Sequence, residues 1–139
     1  MRFLVFSTLL AMTCSQAANA DHLSSVAGQY LCRHSVEPVS GNPEDKHYWE
    51  YQLSADPDGQ FQMQGYYFNF ALGQVGIQGG GQYDYAPDIE PGAVRFRGQI
   101  VRANGLQEPY NMTVRQLNQS QLYVQVRNVA HLINISCER

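Results

Sequence analysis

Two cysteines constrain this chain more than any other feature. Cys32 and Cys137 stand near the two ends of the body of a 139-residue sequence. A bridge between them closes nearly all of that body into one loop and ties its first extended segment to its last. The setting for such a bridge is written in the N-terminus. Arg2 is a short positive start, Phe3 to Met12 is an apolar run broken only by Ser7 and Thr8, and Ala18-Asn19-Ala20 is a small-residue cleavage signal. Residues 1–20 are therefore expected to be a cleaved secretory leader, too short in its apolar part to span a bilayer. Cys14 is expected to leave with it, because Ala11-Met12-Thr13 lacks the leucine and small residue that precede a lipidated cysteine.

The mature chain then runs from Asp21 to Arg139 as one domain of ordinary size. It carries eight basic against twelve acidic residues, and Lys46 is its only lysine. No basic run exists, which argues against a nucleic-acid or anionic-membrane partner. Exported chains meet oxidising conditions, so Cys32–Cys137 reads as a disulfide. The rival reading makes Cys32 a nucleophile with His34 two residues on, sharing a strand face.

The body reads as strands and turns, with at most one helical turn over residues 21–26. Tyr30 to His34 is the first extended segment, and Pro38 to Asp45 is a polar loop. In His47 to Ala55, Trp49, Tyr51 and Leu53 alternate with Tyr48, Glu50 and Gln52. Asp56-Pro57-Asp58-Gly59 supplies a turn, since proline fixes φ and glycine accepts positive φ. Beyond it Phe61, Met63 and Gly65 alternate with Gln60, Gln62 and Gln64, which makes a hairpin. Gly79-Gly80-Gly81 is expected to be a bend, bulge or loop, and Gln82 to Tyr85 resumes the extended pattern. Val94 and Phe96 alternate with Arg95 and Arg97. Asn104-Gly105 reads as a type I′ turn between Gln99–Arg102 and Tyr110–Arg115. Leu122, Val124, Val126 and then Ile133, Ile135, Cys137 mark the last two segments. About eight short strands with no helical period indicate an all-β fold, favouring a small closed antiparallel barrel in which first and last strands meet and the disulfide crosses the seam.

Gly28-Gln29-Tyr30-Leu31-Cys32, Gly81-Gln82-Tyr83, Val94-Arg95-Phe96-Arg97-Gly98 and Ser136-Cys137-Glu138-Arg139 together resemble a family of small, uncharacterised secreted bacterial proteins with a G-x-Y-x-C opening, a central G-x-Y, an F-x-G and a final cysteine. The opening is also similar to the G-x-W start of lipocalin-type barrels. This resemblance implies a lipocalin-like barrel in the periplasm or outside the cell. A second resemblance is to periplasmic inhibitors of C-type lysozyme, eight-stranded barrels whose S-G-x-x-Y loop enters the lysozyme cleft. Gly79-Gly80-Gly81-Gln82-Tyr83 matches as x-G-x-x-Y, with glycine where the serine stands, and Arg97-Gly98 replaces the family's lysine-glycine. It implies a contact role for Gly80, Tyr83 and Arg97.

Candidate chemistry is sparse. Asp56-x-Asp58-Gly59 starts like a calcium loop, but Gln60, Phe61 and Tyr67 occupy the later ligand positions. His22, His34, His47 and His131 have no metal-ligand spacing, although pairing of the end strands would bring His34 towards His131. Asp84, Asp88 and Glu90 cluster between prolines and would have to face a cleft to serve a glycan hydrolase. Asn111, Asn118 and Asn134 head N-x-S/T triplets that a bacterial export route leaves unused. The aromatic surplus is more pointed. Tyr66, Tyr67, Phe68 and Phe70 put rings on both faces of one segment, so some are exposed or lie at a barrel mouth, where binding energy concentrates.

The expectation is thus an exported, non-catalytic binding module needing no cofactor or metal. It would take a small apolar molecule or a protein surface through Trp49, residues 66–70 and a Gly-rich loop over residues 76–83. The alternatives are an inhibitor of a cell-wall hydrolase acting through Tyr83, and an envelope-glycan hydrolase.

Overall fold

The computed structural model describes residues 23–139. The leader, Cys14 and His22 lie outside the described residues, as does the start of the expected helical turn, which is present over residues 23–26. Eight strands follow in chain order: β1 (Gly28–Pro38), β2 (His47–Ala55), β3 (Gln60–Asn69), β4 (Gly73–Tyr85), β5 (Ala93–Arg102), β6 (Gln107–Asn118), β7 (Gln121–Arg127) and β8 (His131–Glu138), with one 3₁₀ turn at Pro43–Asp45. Each strand pairs antiparallel with the next, and β1 pairs with β8, closing an up-and-down barrel.

The seam is the one the cysteines imply. Cys32 stands opposite Cys137 in the β1–β8 register, and the two sulfurs are bonded at 2.04 Å. Both cysteines are fully buried, so the reading of Cys32 as a nucleophile beside His34 is overturned. His34 and His131 do not meet either: His34 faces Ile135 and His131 faces Pro38.

Alternation does most of the folding work, and the interior is filled by the inward set. Phe61 packs edge-on to Phe96 at 5.3 Å, Tyr83 stacks on Phe96 at 5.2 Å, and Tyr51 meets Tyr110 edge-on at 6.2 Å. The lower end is closed by the turn over residues 23–26. Val26 is fully buried there, Tyr30 donates from its hydroxyl to the Val26 carbonyl at 2.5 Å, and Arg139 reaches the Ser25 carbonyl at 2.8 Å.

Two local expectations are corrected. The Gly-rich segment is no loop, because the β3–β4 and β4–β5 ladders pass through Gly79, Gly80 and Gly81 without a break. These glycines let the strands approach: a Cβ on Gly81 would sit 2.1 Å from the Arg97 carbonyl oxygen, and one on its partner Gly98 2.0 Å from that of Gly80. The same close approach lets β5 run through Gly98, joining the two segments read separately around it. The Asn104-Gly105 turn is not type I′, since Gly105 has φ 87° while no non-glycine residue has positive φ. Gly105 donates to Arg102 O at 2.8 Å and Arg102 to Leu106 O at 2.9 Å, a type I turn closed by a left-handed glycine. The Asp56–Gly59 turn is built the same way, with Gly59 at φ 90°.

Candidate ligand site at the barrel mouth

The strand register decides what faces the upper half of the barrel. His34, Trp49, Tyr67 and Val75 fall in one inward row across β1–β4. The imidazole of His34 stacks on Trp49 at 4.4 Å, and Trp49 lies 4.9 Å from Tyr67. The Arg102 guanidinium continues the row, 4.3 Å over the Tyr67 ring. The Tyr67 hydroxyl shares a hydrogen bond with His47 Nδ1 at 2.5 Å and accepts one from Asn69 at 2.7 Å.

Arg102 and Glu108 bring charge into this wall from opposite arms of one hairpin. Arg102 donates through Nε and Nη2 to Glu108 Oε1 at 3.0 and 2.8 Å, and its side chain is only 11% exposed. Below them Tyr51 and Tyr110 share a hydrogen bond at 2.7 Å and both approach Met112 Sδ. Burial pushes the Tyr51 phenol up to about 12 and Tyr110 well above its ordinary value, so both remain protonated. Burial also pushes His34 down to about 4, which keeps its ring neutral against Trp49 at physiological pH.

These groups surround a cavity of about 230 Å³ at the mouth, walled by Trp49, His34, Tyr51, Met63, Ile100 and Tyr110, with Arg102 and Glu108 at its edge. The interior below is packed. The pocket also touches Pro109 and Asn111, on the stretch of β6 that precedes the shortest ladder of the barrel. That ladder joins β6 and β7 only between Arg115 and Asn118 on one strand and Gln121 and Tyr123 on the other. Exposed apolar residues ring the approach on three hairpins: Phe70 and Leu72, Leu106, and Val129.

The expected site residues are divided by this geometry. Trp49 lines the cavity, and Tyr67 is buried behind it against the Trp49 ring. Tyr66 and Phe68 point outward by strand parity, and Phe70 stands at the rim. Gly80 is in the middle of β4. Tyr83 is 2% exposed, with its hydroxyl donating to the carbonyls of Asp56 and Leu23, so it offers no tip for insertion into a cleft. Arg97 is on the outer surface, 3.8 Å from Asp84. The acidic cluster is outside too: Asp84 pairs with Arg95 at 2.9 Å and Glu90 with Arg115 at 2.6 Å, and Asp88 is exposed in the turn. Neither the cavity at the mouth nor the groove on the outer wall is lined by any of these carboxylates. Sequence reading missed His34, Arg102 and Glu108 as mouth residues. Parity was the available signal, because Arg102 continues Val94, Phe96 and Ile100, and Glu108 precedes Tyr110, Met112 and Val114, all on the inward face.

The geometry defines a closed eight-stranded meander, plugged at one end and hollow at the other. No family model and no curated protein matches the chain. A solved structure described as EF1p2_mFAP2b bound to DFHBI aligns over 86% of this chain and 98% of that one, at TM-score 0.48 and 8% identity. No helix among the described residues is long and apolar enough to cross a membrane.

Proposed function

We propose that this chain is an exported, non-catalytic binding protein, one of the small lipocalin-like secreted barrels it resembles, and that its mouth holds a small, largely apolar ring compound. The observation that carries this reading is the cavity of about 230 Å³ walled by Trp49, His34, Tyr51, Met63, Ile100 and Tyr110. It lies below the roughly 300 Å³ typical of drug-sized sites, and above the roughly 150 Å³ that suffices for benzene. A one- or two-ring molecule suits it. The wall supplies stacking faces, and the Arg102–Glu108 pair supplies a polar edge without net charge. The disulfide and the leader support export to the periplasm or the medium.

Trp49 is the only tryptophan and stands in the cavity wall, so its fluorescence reports occupancy directly. Titration with 2-naphthol should give a saturable change; at roughly 0.5 kcal/mol per heavy atom the midpoint falls near 0.1 mM. A Trp49 spectrum unmoved by naphthol, with no small molecule in the mass spectrum of protein purified from its native compartment, overturns the reading. A protein surface as ligand is the second reading, favoured by the exposed Phe68, Phe70 and Leu72 on the β3–β4 hairpin. It requires that Phe70→Ser and Leu72→Ser abolish complex formation while naphthol binding persists.

A further inference from the structure

The outer wall of the barrel carries a second surface, independent of the mouth. Outward positions on β1–β5 hold nine glutamines; Gln74 stands apart beside Phe68, and the other eight are Gln29, Gln52, Gln60, Gln62, Gln64, Gln78, Gln82 and Gln99. The register sets them in rows. Gln52, Gln64 and Gln78 are successive cross-strand neighbours; Ser54, Gln62, Gly80 and Gln99 form the next row; Gln60 and Gln82 form the third. Rows of outward residues stand roughly 7 Å apart along the strands and roughly 5 Å apart across them, so the amides tile a continuous patch.

The patch is concave. Seven of the eight, all but Gln99, line an open groove of about 1220 Å³. Gly80 has no side chain to fill the middle row, and at Gly79–Gly81 β4 lies too close to its neighbours for any Cβ. The ionised groups of the groove, Asp56, Glu138 and Arg139, lie at its lower end. Among the described residues, none of the eight amides hydrogen-bonds to another protein group. The fold therefore gains little from them, and long side chains carry a large rotamer entropy to lose.

We propose that this wall is a docking surface for a neutral glycan. Each glutamine amide offers two donors and one acceptor oxygen without charge, and a sugar hydroxyl both donates and accepts, so an amide lattice and a polyol satisfy each other at many registers. Other partners fit worse. Nucleic acid needs a basic surface. A lipid needs an apolar centre, but Tyr30, Leu53, Phe61 and Met63 behind the groove are buried in the core, and the outward apolar residues, Leu31 and Val101, lie at the flanks. Protein hot spots centre on buried aromatic or arginine anchors, which the middle of this groove lacks. Towards the mouth the wall continues into Tyr48 and Tyr66, whose ring centroids are 6.5 Å apart. They offer ring faces to the C–H side of a sugar that runs beyond the amides.

The test is titration of the isotopically labelled protein with maltohexaose, cellohexaose and chitohexaose at millimolar concentration, read at the glutamine side-chain amides. At least one sugar should shift Gln62, Gln64 and Gln78 saturably and leave the Trp49 indole unmoved. Gln62→Ala/Gln64→Ala/Gln78→Ala should weaken it tenfold or more, with a spectrum otherwise native, and Gln64→Glu alone should weaken it measurably. The proposal falls if no hexasaccharide moves these amides, if the shifts gather at Trp49 and Tyr67, or if the triple variant binds equally well. It falls also if the wall proves to be covered by a second copy, seen as a dimer by light scattering that the triple variant dissolves.

Discussion

His34 illustrates how a single position can couple the mouth to the stability of the whole barrel. Its ring is neutral in the fold because burial against Trp49 pushes its pKa from 6.5 to about 4. The unfolded chain keeps the ordinary value. Above pH 6.5 neither state holds the proton, and this residue contributes no pH dependence. Between 6.5 and 4 the unfolded state binds a proton that the folded state refuses, so stability falls as the pH falls. At about 1.4 kcal/mol per pH unit, the loss attributable to His34 is roughly 2 kcal/mol by pH 5 and about 3 kcal/mol at most. Urea melts of the wild type and His34→Gln at neutral pH and at about pH 5 measure it. The variant should be less stable at neutral pH, having lost the stack on Trp49, but should lose about 2 kcal/mol less on acidification. Equal losses in the two proteins would show that the mouth already admits the proton. Arg102 makes a related point about chemistry at one residue. Its charge is tolerated under cover because Glu108 and the face of Tyr67 both meet it, and that makes it the polar landmark of an otherwise aromatic wall.

At the scale of strands, what the sequence makes plain is what depends on neighbours along the chain. The β2–β3 hairpin is legible because alternation on both arms and the Asp-Pro-Asp-Gly turn agree. Trp49 and Tyr67 are legible as inward-facing residues by the same parity that buries Tyr51 and Met63. The Gly-rich stretch is not, because a strand propensity cannot anticipate that two backbones will approach too closely for any side chain. Gly81 and Gly98 are cross-strand partners, and each is glycine because of the other's strand. Gly81→Ala and Gly98→Ala should therefore each cost 3 kcal/mol or more or prevent folding, the range of a severe packing clash. Gly76→Ala, in the same strand, would place its Cβ 3.7 Å from Ala103, an ordinary contact, and should change the urea midpoint little or raise it. If Gly81→Ala melts like the wild type, the two strands do not lie too close for a Cβ at that position. Arg102 and Glu108 were hidden for a different reason. Charged residues at inward parity look like strand ends until the barrel closes and shows that the strand ends line a mouth.

Over the whole molecule, the disulfide acts where the fold is most costly to assemble. Cys32 and Cys137 are separated by 105 residues and pair directly across the β1–β8 seam. Seven further residue pairs join the same two strands, Leu31 to Glu138 at one end and Pro38 to His131 at the other. Reduction therefore leaves the native seam its ladder and its buried neighbours. What changes is the unfolded chain, which regains the freedom of a loop of about 100 residues, worth about 4–5 kcal/mol in the chain-entropy model. Closing that seam is also the longest-range step of folding, and long-range strand pairing sets slow rates. The two effects predict a specific kinetic signature when oxidised and reduced protein of identical sequence are compared. The urea midpoint should fall and the m-value should rise, because the reduced unfolded chain exposes more surface. The folding rate should drop by the larger factor, and the unfolding rate should change little, since the seam stays paired until the barrel opens. Stopped-flow chevrons separate the two rates. Faster unfolding with unchanged folding would mean that the bridge restrains the native barrel itself, with the ladder too weak to keep β1 on β8. The end strands would then be the part of the wall that opens first, and the mouth row that begins at His34 would open with them.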